Sequence, residues 1–160
     1  MNIIKWLDEN FEEVILVSLL ILMTLTMGLQ ITMRYVFHNS LSWSEELVRF
    51  MFVWSAFISV PFCIKHGTSI KIDLFRNAFP EKIKKFLLIF DKLILLSLFS
   101  ILTYYSIDVV RVTLLSGQTS TALGLPMQYV QVSTVLGFGL ACIRIVQKLI
   151  KVLKGQEVHV

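Results

Sequence analysis

Val14 to Met33 is an uninterrupted run of twenty residues without a single charge. About 20 consecutive apolar residues, wound into a helix, are what the hydrocarbon core of a bilayer requires. The rest of the chain offers such a helix little to hide behind, since 56% of the 160 residues are hydrophobic and 16% are charged, against about 25% charged in an average soluble domain. A soluble chain of this size exposes much of its surface to water and has no interior for so many apolar side chains. The solvent this composition fits is lipid. The sequence specifies an integral membrane protein.

The first span runs from about residue 14 to 36. Ahead of it, Ile3, Ile4, Trp6, Leu7 and Phe11 alternate with Lys5 and acids, the pattern of an amphipathic lead-in at the membrane interface with Trp6 as its aromatic anchor. Asp8, Glu9, Glu12 and Glu13 against Lys5 give these first residues the wrong sign for a secretory leader, so none is expected. A polar break follows. Ser42-Trp43-Ser44-Glu45 then fits the S-x-x-E capping box at the head of a helix. The second span covers about 44 to 64, with Glu45 and Arg49 placed as an i,i+4 pair and Pro61 positioned to kink the helix near its end.

Residues 65 to 85 form the long polar connection. Leu74, Phe75, Ala78 and Phe79 share one helical face there, which predicts a short interfacial helix over about 70–79 that stops ahead of Pro80. The third span covers about 86 to 115 and is long for one crossing, so tilt or protrusion is expected. Ser116 to Pro126 is an uncharged turn rich in Gly, Ser and Thr. The fourth span covers about 127 to 147, with Gly137 and Gly139 available for close helix contact. The expected architecture is an all-α integral membrane protein, one membrane domain over 1–160, with four transmembrane helices and short interfacial amphipathic helices.

The basic residues orient it. Lys5, then Lys65, Lys71, Arg76, Lys82, Lys84, Lys85 and Lys92, then Arg144, Lys148, Lys151 and Lys154 all fall on one side of a four-span model. Arg34, Arg49 and Arg111 fall on the other. By the positive-inside rule both termini are expected in the cytoplasm. The same placement explains the net charge of +4 without nucleic acid, because the cations cap apolar runs and form no patch interleaved with aromatics.

Chemistry-bearing residues are sparse. Counting about 1.5 Å per residue puts Arg34 roughly 30 Å above Val14, Asp108 near the outer end of the third span and Asp91 near its inner end, leaving the bilayer centre without a charge. Gln30, the deepest strongly polar residue of the first span, is expected to hydrogen-bond between helices. Cys63 and Cys142 are isolated and read as small hydrophobes. His38, His66 and His159 lie in loops and the tail, away from positions where a haem would need axial ligands. No catalytic triad, phosphate loop, dinucleotide fingerprint or metal-ligand cluster occurs. The sequence calls for no enzyme, no metal and no cofactor.

What does gather is an outer-face set: Arg34, Trp43, Glu45, Glu46, Arg49, Asp108 and Arg111. It reads either as ordinary interfacial anchoring or as a network and docking surface for another protein. Within it, Arg34 is expected to meet Glu45 or Glu46 across the first hairpin.

These residues resemble a family. Arg34-Tyr35-x-Phe37 followed by Ser40-Leu41-x-Trp43-Ser44-Glu45-Glu46-Leu47-x-Arg49-Phe50, with Trp54 four residues on, looks like the signature of the small membrane subunit of TRAP transporters, the DctQ-like family. His66 with Ile72-Asp73 is similar to its basic-loop element, with a slightly longer spacer. Gly117-Gln118 through Ala122-Leu123-x-Leu125-Pro126 resembles the turn before its last helix. The resemblance implies a non-catalytic scaffold subunit of a tripartite, sodium-coupled importer of organic acids, carboxylates or sialic acid among them, in the bacterial inner membrane. The implied partners are a larger membrane transport subunit, a periplasmic substrate-binding protein and the lipid bilayer. The alternative class is a membrane anchor subunit of a redox complex, which the lack of histidine inside the spans argues against.

Overall fold

The computed structural model describes residues 3–66 and 81–153. Four helices account for nearly all of them: α1 (Ile3–Tyr35), α2 (Ser42–His66), α3 (Glu81–Ser116) and α4 (Gln128–Leu153). Each contains a stretch long and apolar enough to cross a membrane, over Asn10–Tyr35, Ser42–His66, Phe86–Ser116 and Gln128–Ile150. No strand occurs among the described residues; one isolated bridge joins Thr119 to Pro126 in the α3–α4 loop. The interfacial helix expected over 70–79 lies outside the described residues.

The amphipathic lead-in does not form a separate element. α1 continues from Ile3 to Tyr35 without a break, because neither Gly nor Pro stands between residues 3 and 27 to interrupt it. Its end is marked by His38, held at φ 51° in the left-handed region that His enters more readily than most residues, with the Asn39 amide donating to the Met33 carbonyl at 3.0 Å. α3 stops at Ser116 because Gly117 follows at φ 59°, the usual helix-ending conformation of glycine.

The helices neighbour one another in the order α1–α2–α4–α3, so α2 and α4 are the inner pair. One face of α4 carries Ser133, Gly137, Ala141 and Ile145, all buried and spaced four apart. Such small residues let helix backbones approach closely where lipid removes the hydrophobic incentive to associate. Gly137 takes this furthest: a Cβ there would sit 2.6 Å from the Phe57 carbonyl oxygen of α2. That carbonyl is the one left without a helix donor by Pro61, four residues on. The proline thus leaves α2 continuous to His66 and frees a backbone oxygen against which α4's glycine backbone packs. Phe138 completes the seam, edge-on to Phe57 of α2 at 5.4 Å and tilted on Phe99 of α3 at 5.9 Å. Gly139 meets nothing within 4 Å, so of the two expected contact glycines only Gly137 serves.

Substitution of Gly137 tests this seam. Overpacking a close-packed contact costs about 1–3 kcal/mol. Gly137→Val is expected to lower the thermal unfolding midpoint in detergent by several degrees, whereas Gly139→Ala leaves it unchanged or slightly raised. Circular dichroism melts of both variants measure the difference.

Candidate functional site: polar clusters at the two helix ends

Helix geometry separates two ends of the molecule. One carries the α1–α2 and α3–α4 loops (the hairpin end); the other carries the start of α1, the ends of α2 and α4 and the start of α3 (the terminal end). Gln30 and Glu12 of α1 are eighteen residues, about 27 Å, apart along the helix. Each centres a polar cluster.

At the hairpin end Gln30 is buried, 3% exposed. Its Oε1 accepts from the Leu41 amide at 3.1 Å and from the Ser44 hydroxyl at 2.6 Å, and its Nε2 donates to Glu45 Oε1 at 3.5 Å. Leu41 immediately precedes α2, so its amide is one of the donors a helix start leaves unpaired. The cap of α2 therefore comes from α1. Among the described residues, Ser42 and Glu45 do not form the reciprocal bonds of a capping box, because Glu45 turns to Gln30 instead. The interhelical hydrogen bond expected of Gln30 is present, and it closes the first hairpin.

Glu46, one residue on, faces the other way. Its Oε2 accepts from the Ala122 and Leu123 amides at 2.8 and 2.9 Å. Those amides belong to a loop that folds on itself through Ser120 N to Leu125 O at 2.8 Å and Met127 N to Gln118 O at 3.0 Å. The carboxylate thus pins the α3–α4 loop to the head of α2. Two of the three sequence segments that carry the family resemblance, the one around Ser42–Arg49 and the turn before the last helix, meet here in space.

The outer-face set is consequently not one network. Arg34 and Arg49 are exposed, and among the described residues neither pairs with Glu45 or Glu46. The expected Arg34 bridge fails for a reason of height. Gln30 already stands level with Ser44, so Arg34, one turn further along, rises about 6 Å past the first turn of α2. Trp43 is 38% exposed. Asp108 and Arg111 pair with each other at 3.8 Å on α3, their side chains half or more exposed.

At the terminal end three helices meet through charge. Glu12 of α1 is 1% exposed, and its Oε1 accepts from Arg144 Nε of α4 at 2.6 Å. Lys65 of α2 stands 3.6 Å from Oε2, within ion-pair reach and beyond hydrogen-bond length. Arg144 Nη1 also donates to Gln147 at 2.8 Å. Neither Glu12 nor Arg144 was expected to pair. The signal available was weak: Arg144 is the one charge inside the fourth span, and Glu12 is an acid just ahead of the first.

The same tie fixes depth. Cys142 lies beside Ser100, 3.9 Å away, and Arg144 is two residues beyond Cys142 on an antiparallel neighbour, so the Glu12–Arg144 level meets α3 near residue 98. Asp108 then lies ten residues, about 15 Å, from that level and eight residues, about 12 Å, from Ser116. It lies in the hairpin-end third of the apolar Phe86–Ser116 stretch, toward the outer end as the sequence led one to expect.

Such features define an all-α membrane protein whose buried polar side chains bind its own helices together. Residues 23–155 match the family model of the DctQ component of tripartite ATP-independent periplasmic transporters, and the chain belongs to that family, one of transporter permease subunits rather than enzymes. It is 31% identical over 154 residues to the isethionate TRAP transporter permease protein DctMQ of Oleidesulfovibrio alaskensis, covering 92% of this chain and 24% of that protein. It is 28% identical over 82 residues to the sialic acid TRAP transporter small permease protein SiaQ of Vibrio cholerae, covering 51% and 47%. With the ectoine TRAP transporter small permease protein TeaB of Halomonas elongata it shares 26% identity over 156 residues, covering 98% and 81%. The chain thus spans about a quarter and under half of the first two relatives.

The buried ion pair gives a stability test. Breaking such a pair from one side costs about 3–5 kcal/mol, while replacing both partners by apolar residues is often neutral. Arg144→Met is expected to lower the unfolding midpoint in detergent sharply. Adding Glu12→Leu to it should recover most of the loss.

Proposed function

We propose that this chain is the small, non-catalytic scaffold subunit of a tripartite secondary transporter of the bacterial inner membrane. In that reading it works with a larger membrane permease subunit and a periplasmic substrate-binding protein. The carrying observation is how little of its own apolar surface it covers. Among the described residues only Ile58, Ala141 and Ile145 are buried hydrophobics, while Leu20, Leu25, Phe52, Leu98 and Val112 are among many that stay about half exposed or more. Four helices that cover one another so sparingly leave broad apolar faces for lipid and for a further membrane chain, and family membership indicates which chain.

The substrate class is taken from relatives whose names specify isethionate, sialic acid and ectoine. All three carry an acidic group, so small organic acids, sialic acid included, are the substrates assigned to the assembled system, with sodium as the coupling ion. This chain is assigned neither. Its buried carboxylate, Glu12, is engaged by Arg144 and Lys65, and no group of three His, Cys, Asp or Glu suited to a metal ion occurs among the described residues. The redox-anchor alternative gains no support from any relative.

Three measurements follow from this reading. Affinity purification from the native membrane is expected to recover a much larger hydrophobic permease; its absence overturns the scaffold assignment. Purified and placed alone in liposomes, the chain should mediate no sodium-dependent uptake of organic acids, and uptake would sink the reading.

Topology is assigned with both termini in the cytoplasm, on the twelve-to-three division of Lys and Arg. The hairpin end, with Glu46 and its loop, then faces the periplasm. In a background lacking Cys63 and Cys142, single cysteines at Asn39 and Gln118 should react with a membrane-impermeant thiol reagent in intact cells. Cysteines at Asn77 and Gln156 should not, and their labelling would reverse the orientation.

A further inference from the structure

We propose that the face of α3 opposite α4, carrying Ile101, Tyr104, Asp108 and Arg111, seats one membrane-spanning helix of the larger permease subunit, and that this helix presents hydrogen-bonding side chains to the Asp108–Arg111 pair. The placement rests on the chain being the small subunit, and deepens that reading by naming the surface and the chemistry of what covers it.

The face is defined by helical spacing. Positions 97, 101, 104, 108, 111 and 115 recur at intervals of three and four and so form one stripe. Ser97, Ile101, Tyr104, Arg111 and Leu115 are exposed, Tyr104 at 66% and Leu115 at 89%. The other side of α3 is the one that packs, with Phe99 on Phe138 and Ser106 buried. No other described helix covers the stripe.

Its depth makes it costly in lipid. Asp108 lies inside the apolar Phe86–Ser116 stretch, eight residues or about 12 Å from its hairpin-end limit. A charged side chain left facing hydrocarbon there is disfavoured. Arg111, nearer the hairpin end and long, has a flexible stem with which to reach the headgroups; Asp108 is too short to do so. Their mutual bridge at 3.8 Å uses little of the four acceptor sites of a carboxylate and the five donors of a guanidinium, and hydrocarbon supplies nothing for the remainder. A protein helix with polar side chains does.

Two observations select the occupant. A second copy in the same orientation would sit about a two-fold axis along the membrane normal, bringing residues of equal depth together. Asp108 would then face Asp108 and Arg111 face Arg111. The relative DctMQ, in contrast, is a longer permease chain of which the matched stretch makes up 24%. In that relative the similar stretch is joined one-to-one to a larger remainder, and a corresponding larger permease is the occupant proposed here.

The test uses the chain co-expressed with its native larger permease subunit. With a photo-reactive benzoylphenylalanine at Ile101 or Tyr104, illumination of membranes is expected to link the chain to the larger subunit. Asp108→Leu with Arg111→Leu should lower the larger subunit recovered on co-purification about tenfold, while the chain's own abundance in the membrane holds, since both changes favour insertion. Cross-links only to lipid or to a second copy, with co-purification intact, overturn the placement and leave the small-subunit reading standing. Undiminished recovery with the double variant overturns the polar match. Failure of the unaltered chains to co-purify removes the small-subunit reading itself, and this inference with it.

Discussion

The bond from Arg144 to Glu12 joins the last helix to the first across the end of α2, 132 positions apart in the chain. α1 packs along α2, and α4 packs on the other side of α2, so without this tie the terminal end of α1 would be held by one neighbour alone. Between helices in lipid there is no water to expel, and association depends on close packing and polar contact. A carboxylate buried to 1% and met by a guanidinium and an ammonium has no comparable alternative in hydrocarbon, because the partners that satisfy it come from two other helices. The arrangement therefore fixes three helices at one level and sets their heights relative to one another.

The hairpin end is fixed by a different device using the same economy. Gln30 supplies an acceptor for the Leu41 amide at the head of α2. Glu46 supplies one for the Ala122 and Leu123 amides, the second of which also reaches Ser120 Oγ within the loop. Both are cases of a backbone group that a helix or turn leaves unpaired being satisfied by a neighbouring element. Midway, Pro61 frees the Phe57 carbonyl and Gly137 comes against it. Three contacts at three depths, each between sequence-distant residues, hold α2 and α4 as the centre of the molecule and leave α1 and α3 on its flanks.

Much of the fold was legible in the sequence, because bilayer thickness converts directly into run length. The end of the first uncharged stretch, the capping signal near Ser42 and the turn that opens at Ser116 lie close to observed helix limits, whereas α1 starts well before residue 14. Gln30 could be singled out as an interhelical donor, since one amide in an apolar run has few other uses. What could not be read was pairing between spans. Glu12 looked like one of four interfacial acids and Arg144 like one of four terminal cations, because relative height between helices is set by three-dimensional register and not by position in a run. The same ignorance of register let Arg34 be matched with carboxylates that stand a turn below it.

Register also distinguishes two kinds of exposed face. α1 exposes Leu20, Leu25 and Leu29 together with hydroxyl side chains, yet Thr24, Thr26 and Thr32 each donate to the carbonyl four residues back, at 2.8 to 2.9 Å. These three hydroxyls are satisfied within their own helix, and such side chains are compatible with acyl chains. α3 also satisfies its hydroxyls internally at Thr103, Ser106 and Thr113, but Asp108 and Arg111 exceed what one helix can supply to them. A helix flank whose polar groups are self-contained can face lipid, and one whose polar groups are left in excess needs protein. By that criterion the Asp108–Arg111 face of α3, rather than the threonine-bearing face of α1, is the one for which a protein neighbour is proposed.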